Sequence, residues 1–300
     1  MTSLSVVVAG SSGFLGQRLC SELEARGHRV TTLVRRPARL PRESTWDPRA
    51  GLVDAELVGS ADVVVNLAGS PLIGNPHSKR WARDVRTSRI ATTGTLAATV
   101  AAASSPPALV NASAVGWYGD HGPAELTEAS DTRGHSLLTR VCREWEAATG
   151  PAAAAGARVV LLRTAPVQDR THAPLQQQRL LFRLGLGGRL GDGRQYAPIS
   201  SLRDWVGAVA FLVEHPDASG PVNVCAPATP TNAELTATLA RLLHRPALLA
   251  VPAPVLKVAA GPAAPDLLGS LNLRPAKLLE LGYEFADPDV EAVLATGLRA

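Results

Sequence analysis

The hydrophobic positions of this 300-residue chain change period repeatedly over its first half. Residues 4–9 form a short valine-rich run, which predicts a strand buried on both faces. Over residues 13–26, Phe14, Leu15, Leu19 and Leu23 return at helical spacing, and Gly27 closes the pattern. Further apolar runs at 29–34, 61–67, 108–112 and 158–162 predict strands. Between them, residues 80–103 carry Trp81, Val85, Thr92, Leu96 and Val100 on a near-helical stripe, and 136–148 carry Leu137, Leu138, Val141, Trp145 and Ala148. Strands alternating with helices in this way predict an α/β fold, a Rossmann-type doubly wound parallel sheet with right-handed crossovers.

Past about residue 165 the alternation loosens. Residues 180–195 are rich in glycine, 202–214 read as a helix, 222–224 as a strand, and 231–243 as a helix opening at Thr231 or Asn232. A proline-rich tail from Pro246 predicts short helices, the last near 289–296. The expected organisation is a dinucleotide-binding domain over residues 1–165 and a smaller substrate-side region over 166–300. The second is interleaved with the first and ends in a small C-terminal domain from about residue 245.

Composition narrows the classes. Hydrophobic residues make up 46% of the chain, enough for a sizeable core, while aromatics are only 4%, too few for a row of base-stacking platforms. The net charge of +4 is spread without a run of five like charges, so neither a nucleic-acid nor a membrane partner is expected. The three cysteines have no paired spacing, and the seven histidines show no metal-ligand pattern, so neither a disulfide framework nor a metal site is expected. No apolar span has the length of a transmembrane helix. These readings together predict a cytoplasmic protein with a small-molecule substrate. They leave the oligomeric state open, with a homodimer as the candidate.

The candidate chemistry starts at Gly10, Gly13 and Gly16, which sit three apart between the first strand and the first helix. In that context the first glycine allows a sharp turn, the second lets a pyrophosphate approach the backbone, and the third lets the helix pack closely. The N–H groups of the helix start then face the phosphates. About 20 residues on, a site for NAD would place Asp or Glu at the end of the second strand. This chain has Arg35 and Arg36 there, and a guanidinium suits a 2′-phosphate, so the expected cofactor is NADP(H).

The segments "GSSGFLG" at 10–16, "NLAG" at 66–69 and "NASAVGWYG" at 111–119 resemble the extended short-chain dehydrogenase/reductases. "TWDP" at 45–48, "SRIATT" at 88–93, "VCREWEAA" at 141–148, "FRLGLGGRLGDGRQY" at 182–196 and "SGPVNVCAP" at 219–227 resemble its epimerase-like branch. Members of that branch carry the label of nucleoside-diphosphate-sugar epimerases and end in a small domain of unknown function. The resemblance implies a cofactor site built from Gly10, Ser11, Ser12, Gly13, Phe14, Leu15 and Gly16, with Arg35, Arg36, Leu67, Ala68 and Gly69.

In the wider superfamily a Tyr-x-x-x-Lys pair does the acid–base work, its lysine holding the nicotinamide ribose. The resemblance implies that Ser113 is the serine that orients the substrate oxygen. The pair is absent. If Glu146 takes the place of the glutamate that often follows it, the tyrosine position holds Leu138 and the lysine position Cys142. Tyr118, just past Ser113, is then the candidate proton donor. The branch's usual glutamate after "NLAG" is Ser70, its Arg-Thr-Gly-x-Val-Leu is "RTAPVQ" at 163–168, and its Trp-x-His-x-x-Asp is replaced within 198–205. Two expectations follow: an atypical oxidoreductase or epimerase with an altered or relaxed substrate range, or a dinucleotide-binding protein that has lost catalysis.

Overall fold

A computed structural model describes residues 3–72 and 74–299. In chain order the elements are β1 (Ser5–Ala9), α1 (Phe14–Ala25), β2 (Arg29–Val34), β3 (Glu43–Thr45), α2 (Ala55–Gly59), β4 (Val63–Asn66), α3 (Lys79–Ala102), β5 (Ala108–Ala114), β6 (Glu125–Leu126), α4 (Leu137–Ala147), α5 (Gly150–Ala154) and β7 (Val159–Thr164). Helices Leu175–Arg183, Leu202–Glu214, Asn232–Leu243 and Val290–Arg299 follow, with a strand at Gly220–Val224.

Seven strands form one sheet, in the order Gly220–Val224, β7, β5, β4, β1, β2, β3. The pairings around β1 are parallel, with Val7 opposite both Thr31 and Val64. Order reverses between β1 and β4, which is where such folds open a crevice at the strands' carboxyl ends. The predicted alternation is therefore the observed one. β3 is the strand the pattern does not show: its three residues are Glu, Ser and Thr, held by pairing with β2 rather than by burial.

The chain divides into two compact units. The first comprises residues 1–113, 141–162 and 209–221. Its core joins the inner faces of the strands, through Val7, Ala9, Leu33, Val64 and Leu109, to Leu96, Ala97 and Val100 of α3. The second comprises 114–140, 163–208 and 222–300, with one cluster around Leu175, Phe182, Leu239 and Leu294 and another around Tyr118, Leu126 and Leu273. Within it, Thr231 and Glu234 form a reciprocal capping box on helix Asn232–Leu243, the start the sequence predicts. The glycine-rich stretch is less loose than its composition suggests. Its first residues finish helix Leu175–Arg183, and Gly188–Leu190 pairs with Leu249–Val251.

A buried polar network fixes the carboxyl edge of the first unit. Thr93 Oγ1 on α3 donates to Asn111 Oδ1 on β5 at 3.0 Å. It accepts from Asn66 Nδ2 at the end of β4 and from Trp145 Nε1 on α4, both at 2.9 Å. Asn66 Nδ2 also donates to Asn111 Oδ1 at 2.8 Å, and Asn66 Oδ1 accepts from the Ala68 N–H at 3.1 Å. These interlocking bonds tie together four elements and the loop after β4. Thr93→Val keeps the shape but leaves the Trp145 N–H unsatisfied, and should lower stability by about 1–3 kcal/mol in urea unfolding.

Candidate functional site

The turn after β1 separates its three glycines by cause. Gly10 has φ +85°, and a Cβ there would lie 2.6 Å from the Leu67 carbonyl carbon. A Cβ on Gly16 would lie 2.2 Å from the Gly10 carbonyl oxygen. Both residues are glycine because the chain leaves no room for a side chain. Gly13 is different: its backbone is extended (φ −75°, ψ 164°), and its missing Cβ would meet only the Gly10 oxygen, at 3.3 Å. Packing demands less of it than of the other two, although that one contact is tight.

Gly13 is also the N-cap of α1 and offers no side chain to cap the helix, whose first turn holds no acidic residue. The positive end of α1 is therefore not neutralised from within the helix. Phe14 and Leu15 are half-buried at its start, Ser11 is half-buried and Ser12 exposed, with the Ser12 carbonyl accepting from Gln17 Nε2 at 3.2 Å. A glycine cradle opening on an uncapped helix N-terminus fits a pyrophosphate.

The two arginines after β2 have separate fates. Arg36 makes a two-pronged ion pair with Glu43 of β3, Nη1 to Oε2 at 2.8 Å and Nη2 to Oε1 at 2.6 Å. Hydrogen bonds from Arg36 and from the Arg39 N–H hold the Glu43 carboxyl down at about 2. Arg35 is exposed and has no hydrogen bond or ion pair among the described residues. Of the two expected 2′-phosphate ligands, Arg35 is the one left with its donors unused.

Leu67, Ala68 and Gly69 follow β4 alongside the glycine turn. The Leu67 N–H donates to the Ala9 carbonyl at 2.9 Å, and Thr92 Oγ1 donates to the Ala68 carbonyl at 3.1 Å. Ser113, on β5, is buried, and its hydroxyl donates to Glu146 Oε1 of α4 at 2.6 Å. That serine–carboxylate pair lies in the same unit as the glycine turn. Sequence reasoning used Glu146 only to align the missing pair. It overlooked Arg89, which falls on the buried face of α3 between Val85 and Thr92, a charged residue on an apolar stripe.

Tyr118, the expected proton donor, lies in a different setting from Ser113. It is fully buried in the second unit, packed with Val115, Leu126, Ala165, Cys225 and Leu273. Its hydroxyl donates to Asn223 Oδ1 at 2.7 Å, while the Arg163 guanidinium lies 3.4 Å from the Trp117 ring centroid and 4.8 Å from that of Tyr118. Burial pushes the phenol up to about 12. In this structure its hydroxyl is engaged inside the core of the second unit, in contrast to the exposed loop position its place in the sequence suggests. No group of three His, Cys, Asp or Glu that could hold a metal occurs among the described residues, and none of their helices is long and apolar enough to cross a membrane.

The glycine geometry has a direct consequence. Gly13→Val should leave a folded protein by circular dichroism and abolish dinucleotide binding, because the side chain fills the cradle. Gly16→Ala should instead cost about 1–3 kcal/mol of stability through overpacking against Gly10. Dinucleotide titration and thermal unfolding of both variants separate the two roles.

Comparison with known proteins matches residues 6–225 to the NAD dependent epimerase/dehydratase family and 251–296 to a domain of unknown function. An epimerase family protein of Mycobacterium bovis is 40% identical over 286 residues, covering 95% of this chain and 94% of its own. Epimerase family protein SDR39U1 of Homo sapiens is 34% identical over 297 residues, covering 97% and 98%. The crystal structure of human SDR39U1 (isoform 2) with NADPH superposes with a TM-score of 0.85 at 32% identity, covering 98% of this chain and 99% of that one. A nucleoside-diphosphate sugar epimerase from Corynebacterium glutamicum gives 0.79 at 32% identity, covering 99% of this chain and 58% of that one. With a parallel sheet that turns through a glycine cradle after its first strand, and with this agreement along nearly its whole length, the chain belongs to the NAD-dependent epimerase/dehydratase family.

Proposed function

We propose that this protein is an NADP(H)-dependent enzyme of the oxidoreductase or epimerase type, acting on a small carbonyl or hydroxyl compound. The observation that carries the reading is Gly13, the glycine of the turn that packing constrains least, exposed at the uncapped start of α1. The NADPH bound by the human relative supports the choice of dinucleotide. The segment 10–16 would hold the pyrophosphate, Leu67, Ala68 and Gly69 would flank the dinucleotide, and Arg35 would meet the 2′-phosphate. Residues 1–165 thus serve the cofactor and 166–300 the substrate. The unclustered surface charge is the reason to expect neither nucleic acid nor membrane as a partner, and a cytoplasmic setting.

The nicotinamide, when bound, supplies the hydride chemistry. For its proton the chain offers Ser113 and Glu146. Because the Ser113 hydroxyl donates to the carboxylate, its oxygen is free to accept from a substrate hydroxyl, with the serine proton passing to Glu146 Oε1. A second reading, a dinucleotide-binding protein without catalysis, draws on Leu138 and Cys142 at the Tyr-x-x-x-Lys positions and on Tyr118 in the core.

The test is fluorescence titration with NADPH and NADH, followed by NADPH oxidation against aldehydes, ketones and nucleotide sugars. NADPH should bind more tightly. Arg35→Ala should weaken it by roughly 10–150-fold, the worth of a charge-assisted contact, and leave NADH unchanged. Arg36→Ala should do less, since Glu43 already occupies that guanidinium. Ser113→Ala should cut turnover by about 10²–10⁴-fold. Equal affinity for the two dinucleotides defeats the cofactor assignment, and tight NADPH binding without turnover on any compound favours the second reading.

A further inference from the structure

Arg89 is a buried cation without a counter-ion. It retains 7% of its surface exposed, on the face of α3 that also buries Val85, Thr92, Leu96 and Val100. Its Nη1 donates to the Ser70 carbonyl at 3.1 Å and the Val85 carbonyl at 3.0 Å, and its Cζ lies 4.8 Å from the Trp145 ring centroid. No carboxylate pairs with it among the described residues, and its Nε and Nη2 have no hydrogen-bond partner there. Burial lowers its pKa, with the Cys142 side chain the one group that acts on it electrostatically in the other direction.

Removing a guanidinium from water without an opposite charge is costly, and the contacts present explain only one of its nitrogens. The unused Nε and Nη2 form one edge of the planar fork, the edge that donates two parallel hydrogen bonds to paired oxygens. The guanidinium also lies at the loop after β4: a Cβ on Gly69 would come within 3.4 Å of Arg89 Cζ. Its neighbour Cys142 occupies the position at which the family resemblance places the lysine that holds the nicotinamide ribose.

We propose that Arg89 supplies from α3 the cation that α4 has lost, and that its Nε–Nη2 edge binds the nicotinamide-ribose half of the dinucleotide. Cys142 is then the small residue that leaves the guanidinium its space. Lysine at 142 and arginine at 89 are alternatives, since two cations there would repel across a poorly screened interior. The proposal rests on the NADP(H) reading above. It concerns the half of the cofactor that Arg35 does not touch.

The test is calorimetric titration of the full chain with two ligands, NADPH and adenosine 2′,5′-bisphosphate, which shares the adenosine end and lacks the nicotinamide ribose. Absence of binding by either ligand to the wild type defeats the cofactor reading itself. Given wild-type binding, Arg89→Met should weaken NADPH by about 10–100-fold and leave the bisphosphate within about twofold. If Arg89 only clamps the loop after β4, both ligands weaken together, and that result, or no change in either, overturns the proposal. A second variant, Arg89→Met with Cys142→Lys, returns the cation to α4. It should recover most of the NADPH affinity, and it decides the matter where Arg89→Met alone does not fold. Failure of the double variant to fold or to bind overturns the assignment.

Discussion

The hydroxyl of Thr93 holds the carboxyl edge of the first unit's strands together. It joins β4, β5, α3 and α4 through Asn66, Asn111 and Trp145. Asn66 in turn fixes the Ala68 N–H, which starts the loop that faces the glycine turn. The strand that carries Asn111 also carries Ser113, and the helix that carries Trp145 also carries Glu146. The serine–carboxylate pair is therefore placed by the same bonds that place the loop. A buried network in which each of these side chains is bonded to its neighbours has few alternative arrangements.

Charge in the first unit is distributed on the same principle, by giving some cations a partner and withholding one from others. Arg36 is bonded at both nitrogens by Glu43, and Arg26 is shared between Glu22 and Glu214. Arg35 at the end of β2 and Arg89 under the loop after β4 have no acidic partner among the described residues. The partners come from the same helix (Glu22), from an adjacent strand (Glu43) and from far along the chain (Glu214).

Much of the fold was legible from the sequence because it follows from local period. β2 and helix Leu202–Glu214 have the boundaries the hydrophobic pattern predicts, and the glycine turn lies where its spacing puts it. β3 was not legible, since three polar residues carry no period and depend on a partner strand. The site was legible where glycine geometry or strand ends decide it and obscure where a distant partner does. Nothing near Tyr118 in sequence reveals that Asn223 accepts its hydroxyl, more than a hundred residues on. Arg89 did leave a trace, a charge at a position where the helical stripe calls for an apolar residue, but its lack of a counter-ion exists only in three dimensions.

The division among the three glycines also governs how the turn can vary. With the Gly10 oxygen lodged in the space of the missing Gly16 side chain, the turn and α1 move as one piece. A side chain at either of those two residues would strain the turn, whatever the protein does. Position 13 is under less strain, with one tight contact and an extended backbone that any residue adopts. Of the three glycines, the one at 13 is thus the place where the turn could change with least disturbance to the strand and helix it joins.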